Sequence, residues 1–154
     1  PEDERIVAAL SGAYADIEMH ESAADLLQRA AENHPDFIPR SAELFRRSGA
    51  LERALYMNAR IRDQQEKFKQ RTSILLDQQR FEEVADMGTR LERVGLLEDQ
   101  SLLYALAYAN FKAGDFDDAE RYIKRISDPR HFEHATQLRQ IIARCERDPS
   151  ECAQ

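Results

Sequence analysis

A small residue recurs at regular intervals along the chain, and this recurrence limits the fold more than any other feature. Ala23, Ala54, Val84 and Ala119 are separated by 31, 30 and 35 residues. Each follows a bend and a few acidic or polar residues, and each precedes apolar residues at helical spacing. A small side chain at one fixed place is what two closely crossing helices require. The recurrence therefore predicts helix hairpins that stack, because a single hairpin cannot bury its apolar face alone.

Helical periodicity covers nearly the whole chain, and no stretch alternates with the period of two that a strand needs. The breaks expected between helices lie near Asp16, His34-Pro35, Ser48-Gly49, Gln78-Gln79, Gly95, Gly114 and Asp128-Pro129. Short connections make consecutive helices antiparallel, so we expect about nine helices. Residues 1–128 would form four hairpins, residues 129–147 a helix that covers the last hairpin, and residues 148–154 a tail.

The apolar and small positions follow the pattern Trp-x2-Leu-Gly-x2-Tyr, then Ala, Phe and Pro. The first and fourth repeats match through Val7, Leu10, Ser11, Tyr14, Ala23, Leu27, Ala30 and Pro35, and through Leu103, Leu106, Ala107, Ala119, Ile123 and Ile126. The middle repeats match through Ile38, Ala42, Phe45, Ala54 and Ile61, and through Phe68, Thr72, Leu75, Phe81, Val84 and Leu91. In these positions the chain resembles the tetratricopeptide repeat family.

This resemblance implies an all-α fold, a right-handed α-solenoid of about four antiparallel helix hairpins with a C-terminal capping helix. It also implies a concave groove, lined by the first helix of each hairpin, that holds a peptide. The groove residues that the resemblance implies are Arg5, Ala8, Glu43, Arg46, Arg47, Lys69, Ser73, Tyr104, Tyr108 and Lys112. Gly88 stands where the family has a large apolar side chain, so we expect a close helix contact or a bend there.

Aromatic residues form a stripe on the first helix of the fourth repeat. Tyr104, Tyr108 and Phe111 stand at i, i+4 and i+7, so they share one side of that helix. Tyrosine and arginine dominate the residues that contribute most to protein interfaces. Tyr104 and Tyr108 would then anchor a partner while Arg46, Arg47 and Lys69 attract an acidic segment. The alternative is that the rings pack on the final helix, which we expect for Phe111 and leave open for the two tyrosines.

The acidic stretch Gly114-Asp115-Phe116-Asp117-Asp118-Ala119 has two interpretations. Its carboxylates are ligands that Ca²⁺ prefers, but a calcium loop spreads its ligands over twelve residues and ends in Glu. In the structural interpretation, Gly114 ends one helix at φ > 0 and Asp115 caps the next. We expect a bend between two helices.

Histidines and cysteines near the C-terminus are the residues best suited to hold a metal. His131 and His134 share a helical face, and Cys145 follows, but their spacing matches no common zinc motif. No nucleophile stands beside a base in a known motif, and no glycine-rich phosphate loop is present. We therefore expect no catalytic residue, no metal and no cofactor.

Charge and the cysteines bear on partners and compartment. A net charge of −7 argues against nucleic acid as the main partner, because such proteins need an excess of Lys and Arg. The longest apolar run, at 102–109, is eight residues, too short to cross a membrane. The chain begins with Pro1, and we expect a fragment of a larger bacterial protein. A disulfide between Cys145 and Cys152 would favour a periplasm over the cytoplasm, and two unpaired thiols are the alternative.

These features favour a protein–protein interaction scaffold or adaptor that binds a peptide or domain in its groove, with no chemistry of its own. Two alternatives stay open: a periplasmic scaffold of a secretion or exopolysaccharide-export system, and an accessory domain of a larger enzyme. Binding of RNA by a helical-repeat protein is disfavoured by the acidic charge.

Overall fold

The computed structural model describes residues 2–153, with side chains from residue 3 to residue 152. Within that range it holds ten α-helices and three short 3₁₀ helices, and no strand. The α-helices are α1 (Glu2–Asp16), α2 (His20–Ala30), α3 (Ile38–Ser48), α4 (Leu51–Ala59), α5 (Gln64–Asp77), α6 (Phe81–Asp86), α7 (Gly88–Arg93), α8 (Gln100–Ala113), α9 (Phe116–Ile123) and α10 (Pro129–Arg147). The 3₁₀ helices are Pro35–Phe37, Leu96–Glu98 and Pro149–Ala153. The predicted all-α class is confirmed.

Aspartate side chains begin four of the helices. Each carboxylate accepts a hydrogen bond from a backbone N–H of the first turn, which would otherwise have no partner inside the helix. The four N-terminal caps are Asp63 on α5, Asp99 on α8, Asp115 on α9 and Asp128 on α10. A cap of this kind stabilises a helix by about 1 kcal/mol.

The chain divides into two compact units, Pro1–Gln78 and Gln79–Gln154. The division falls at one of the breaks that the sequence predicts, Gln78-Gln79. The division separates α5 from α6 and α7, although the repeat pattern assigns all three helices to one hairpin. The sequence predicts a single array over residues 1–128, whereas the structure gives two groupings.

In the first unit the helices pack in chain order. Helix α2 contacts α1 and α3, α4 contacts α3, and α5 contacts both α4 and α3. The largest fully buried side chains include Leu27, Phe45, Met57 and Ile74. Removing a side chain of this kind typically costs about 2–5 kcal/mol, because a cavity is left behind.

In the second unit α8 is the central helix. It packs against α6, α9 and α10, and α10 also contacts α9. Leu103, Leu106 and Ile142 are buried between these helices. The face of α10 opposite its buried residues is charged and exposed.

The recurrent small residues lie at helix contacts, as their spacing predicts. Ala23, Ala54, Val84 and Ala119 each have an exposed fraction of 0%. Gly88 also lies at a close contact, because a Cβ atom on it would stand 2.3 Å from the Tyr122 hydroxyl oxygen. The contact at Gly88 confirms the prediction for that residue, and burial of the four small residues is what closely packed helices require.

The stretch 114–119 is a bend between α8 and α9. Gly114 adopts φ 85° and ends α8, in a conformation that glycine reaches without the steric cost of a side chain. The Asp115 carboxylate accepts a hydrogen bond from the backbone N–H of Asp118 at 3.2 Å and so begins α9. The structural interpretation of this acidic stretch is confirmed.

The last helix, expected over residues 129–147, spans Pro129–Arg147. The 3₁₀ helix Pro149–Ala153 follows it, where the sequence predicted only a tail. The structure joins Cys145 of α10 to Cys152 of this 3₁₀ helix as a disulfide, with 5.0 Å between their Cα atoms. None of the helices described here is long and apolar enough to cross a bilayer.

Candidate functional site

A cleft of about 1020 Å³ opens on the first unit. Helix α3 supplies one set of lining residues and α5 supplies another, with the segments at 31–36 and 60–63 closing the ends. These two helices are the first helices of the second and third predicted hairpins. Glu43, Arg46, Lys69 and Ser73, which the sequence assigned to a groove, all line this cleft. Its volume is at the upper limit of small-molecule pockets, which suits a peptide segment.

Polar contacts hold the walls of the cleft at a set distance. The Gln70 side-chain amide on α5 donates a hydrogen bond to the backbone carbonyl of Pro39 on α3, at 2.8 Å. The buried Asn58 amide on α4 donates to the Lys67 carbonyl at 2.9 Å and to the Gln70 side chain at 3.1 Å. Gln70 therefore links α3 and α4 to α5 directly beneath the cleft.

Arg46 forms the charged part of the same connection. Its Nε and Nη2 atoms donate to the two carboxylate oxygens of Glu43, both at 2.9 Å, and its Nη1 donates to Asp77 at 2.6 Å. The hydrogen bond from Arg46 lowers the pKa of the Glu43 carboxyl below its usual value. The reciprocal bond from Glu43 raises the pKa of Arg46. Arg46 thus joins α3 to the end of α5, and its charge is already balanced by two carboxylates.

Arg47 is placed differently from its predicted neighbours. Its side chain is 58% exposed, and its Nε donates to Glu43 at 3.0 Å. It is not among the described residues that line the cleft. One residue along a helix turns the side chain by about 100°, and here that turn takes Arg47 out of the cleft that Arg46 lines.

The remaining charges of the cleft have mixed signs. Among the described residues, the structure gives no carboxylate partner to three of the lining arginines, Arg40, Arg60 and Arg62. Asp63 is occupied as the cap of α5, since it accepts from the Glu66 backbone N–H at 2.8 Å. The other acidic side chains of the lining are Glu32, Asp36, Glu66 and the Glu43 already bound to Arg46. Ile38 and Ile61 give the cleft an apolar floor, because both are buried.

The tyrosine face of α8, formed by Tyr104, Tyr108 and Lys112, belongs to the second unit. Tyr108 meets the Phe81 ring edge to face at 5.7 Å, and the Lys112 ammonium lies 5.6 Å from the same ring. Both tyrosines are half-buried. Burial, followed by the charge of Tyr108, raises the pKa of Tyr104. Each ring keeps part of its surface exposed.

The other rings and histidines pack locally. Tyr104 contacts the His134 ring of α10 at 5.9 Å, whereas Phe111, expected to pack on the final helix, stacks on Phe116 of α9 at 5.8 Å. His131 lies 3.3 Å from the Ser101 hydroxyl. Among the residues that the structure describes, no three side chains of the metal-ligating kind come together.

Sequence reasoning missed Arg40, Arg60 and Arg62. Arg60 and Arg62 were hidden because the connection at 60–63 was not among the predicted breaks. That connection contains no Gly or Pro, and its only local signal is Asp63 followed by Glu66 at the spacing of a helix cap. Arg40 was missed because its position on α3 becomes visible only when α5 is placed opposite it.

Comparison of the chain with protein-family models, with curated proteins and with solved structures finds no match.

Proposed function

We propose that this chain is a protein-interaction module that holds a segment of a partner protein in the cleft between α3 and α5, with no chemistry of its own. The observation that supports it is the lining of that cleft, in which the first helices of two successive hairpins form opposite walls. Helical repeat proteins use such concave surfaces to bind extended or helical segments. The tetratricopeptide-like repeat pattern of the sequence points to the same use.

The mixed charges of the lining favour a polar segment that carries charges of both signs, with its acidic residues beside the arginines. Arg40 and Arg62 would meet the acidic residues of the segment, and Ile38 and Ile61 would contact apolar side chains between them. Arg46 has a supporting role in this proposal, because Glu43 and Asp77 already balance its charge. Tyr104 and Tyr108 are proposed as contacts of the second unit.

Site-specific photo-crosslinking tests the position of the partner. A benzoylphenylalanine would replace Ser73 or Lys69 in the cleft, with Tyr56 as the control position. Tyr56 is 61% exposed and does not belong to the described lining. We expect the first two positions to label one segment of one protein in an extract of the producing cells, and Tyr56 to leave it unlabelled. Equal labelling from Tyr56, or no common segment, would count against the cleft.

Charge reversal tests the chemistry of the segment. The double variant Arg40→Glu/Arg62→Glu should weaken binding of the crosslinked segment, made as a peptide, by about tenfold or more. Arg47→Glu is the matched control, because it changes charge on the same helix outside the cleft. Equal losses in both variants would show a general charge effect and contradict the proposed contacts.

The disulfide favours one of the two open alternatives, a scaffold in an oxidising compartment such as a periplasm. Cys145 and Cys152 are paired in the structure, and disulfides persist where thiols are not kept reduced. Trapping the thiols with an alkylating reagent at the moment of cell lysis tests this. Complete labelling of both thiols would contradict it.

A further inference from the structure

One side of α1 carries an exposed apolar stripe. Ile6 and Ile17 are 63% and 65% exposed and Leu10 is 45% exposed, and Ala13 is exposed between them. The spacing of Ile6, Leu10 and Ala13 puts them on one side of the helix, and Ile17 follows directly after its end. We call these four residues the α1 face. The side of α1 that packs on the core of the first unit begins beside this stripe at Val7 and Tyr14 and continues through Ala8 and Ala15. A helix that is apolar on both sides is normally covered on both.

The second repeat shows how the equivalent face is covered. With the 31-residue spacing from Ala23 to Ala54, the positions equivalent to Ile6, Leu10 and Ala13 are Phe37, Ser41 and Leu44. Ser41 is fully buried, and Phe37 and Leu44 are 8% and 6% exposed. The Ser41 hydroxyl donates a hydrogen bond to the Ala24 carbonyl of α2 at 2.9 Å. This face of α3 therefore lies on α2, the second helix of the preceding hairpin.

The fourth repeat repeats this arrangement within the second unit. The spacing from Ala54 to Ala119 carries Phe37, Ser41 and Leu44 onto Leu102, Leu106 and Ala109, which are all buried. The Leu106 side chain lies 3.9 Å from the place where a Cβ atom of Gly88 would stand. In both repeats an earlier part of the chain covers this face. A small residue lies at each contact, Ala24 in the second repeat and Gly88 in the fourth.

We propose that the α1 face binds an amphipathic helix of a partner protein, which places a small residue opposite Leu10 and basic residues at its edges. The small residue follows from the two equivalent contacts, where Ala24 and Gly88 allow the helices to approach closely. The basic residues follow from charge. Residues 2–18 contain five acidic side chains and one arginine, at both ends of the stripe.

The same charges argue against a second copy of this chain as the occupant. Two α1 helices would bring acidic ends together in the parallel and in the antiparallel arrangement, and like charges at close range disfavour association. Phe132 is the one large apolar side chain of α10 that is exposed among the described residues, so this helix offers no apolar stripe for α1. The proposal concerns a surface other than the cleft and does not depend on it.

A helical peptide derived from α2 is a suitable probe, because α2 covers the equivalent face of α3. The peptide has the sequence of residues 20–32 with Glu21→Lys, Asp25→Lys and Glu32→Lys, held helical by a hydrocarbon staple. Binding to the full chain is measured by fluorescence anisotropy. We expect binding to the wild-type chain and a loss of about tenfold in the double variant Ile6→Gln/Leu10→Gln. Tyr56→Gln is the matched control, since it removes an equally exposed apolar side chain from α4.

Three results would overturn the proposal. The first is equal binding by the wild type and the double variant, or no binding by either. The second is that the unsubstituted acidic peptide binds as tightly as the lysine peptide, which would show that basic residues are not required. A lysine peptide with Ala24→Phe that binds equally well would show the same for the small residue. The third is a wild-type dimer in sedimentation that the double variant lacks, which would make a second copy the occupant.

The variants are expected to fold, because the replaced side chains are exposed. Ile17→Gln, just after α1, gives an independent measurement at a residue that is 65% exposed. It should weaken peptide binding in the same direction. Unchanged binding in Ile17→Gln together with unchanged binding in the double variant would place the peptide elsewhere.

Discussion

At Gly88 the space for a side chain is occupied by the hydroxyl of Tyr122. A Cβ atom there would stand 2.3 Å from the hydroxyl oxygen and 3.3 Å from Cζ, far inside contact distance for the first. We expect Gly88→Ala to lower the free energy of unfolding by about 1–3 kcal/mol, although alanine favours a helix more than glycine does. Urea denaturation measures the change. In a Tyr122→Phe background the loss should shrink, because the nearest atom is gone. An equal loss in both backgrounds would contradict this contact.

Glu43 makes the stability of the first unit depend on pH. The hydrogen bond from Arg46 lowers the pKa of the Glu43 carboxyl in the folded state. Its stabilising effect is therefore present above the unfolded pKa, about 4.3, and is lost as pH falls through the lower folded value. We expect the wild type to lose more stability than Glu43→Gln between pH 6 and pH 3. Chemical denaturation at the two pH values measures it, and parallel losses in both proteins would be inconsistent with the lowered pKa.

Single residues were predictable from sequence where their size departed from the pattern. Ala23, Ala54, Val84, Ala119 and Gly88 could be assigned to close contacts, because helices that cross closely require a small residue at a regular place. The partner of Gly88 could not be predicted. Tyr122 lies 34 positions further along the chain, and only the packing of α7 against the α9 region brings the two together.

At the scale of the helix, glycine substitutions should have opposite signs at different places. Gly49 and Gly114 end α3 and α8 at φ 84° and 85°, and no described residue beyond their chain neighbours comes within 4 Å of where a Cβ atom would stand. Alanine there is strained by its backbone alone, so Gly49→Ala and Gly114→Ala should each cost about 1 kcal/mol. Gly12 lies inside α1 and has ordinary contact distance, 3.8 Å, to Arg40. Gly12→Ala should therefore stabilise the protein by up to about 1 kcal/mol.

Thermal and urea unfolding of the three variants measure these changes. The glycine in α1 serves as the control for the two at helix ends, because the chemical change is identical. A loss of stability in all three, or a gain in all three, would show that the backbone conformation does not decide the effect.

Helix boundaries could be predicted where turn residues mark them. The bend at 114–119 combines a glycine that ends one helix with an aspartate that begins the next, so both of its halves were visible. The break at 60–63 was missed, since a lone Asp63 is a weak signal without a glycine or proline beside it. The division between α6 and α7 at Met87 stands beside Gly88, where the sequence predicts a close helix contact or a bend, and the structure has both there.

At the scale of the molecule, the disulfide should stabilise the last helix together with the segment that follows it. We expect reduction to lower the free energy of unfolding by about 2 kcal/mol and to raise hydrogen exchange near residues 145–152. Cys152→Ala should match the reduced wild type, since Cys152 is less buried than Cys145. Two alkylated thiols in the unreduced protein would contradict the pairing. Mass spectrometry after alkylation distinguishes the two states.

The division into two units and the full set of residues that line the cleft could not be predicted from the sequence. A repeat pattern reports which residues are equivalent, and so Glu43, Arg46, Lys69 and Ser73 could be assigned to one surface. It does not report which charges cancel. We give Arg46 a supporting role in the proposed function because the Asp77 carboxylate, 31 positions away, accepts a hydrogen bond from its side chain. Pairs of that separation are set by packing, and a single sequence contains no record of them.

The hydrogen bonds of Gln70 and Asn58 fix the distance between the two walls of the cleft. If α5 slid along α3 by one turn, the Pro39 carbonyl and the Asn58 amide would lose their partners, and each buried group left unpaired costs about 1–3 kcal/mol. The width of the cleft is therefore fixed in the unbound protein. Under the proposed function, little ordering entropy of the cleft walls would be lost when a segment binds, and a segment thicker than the gap would not fit.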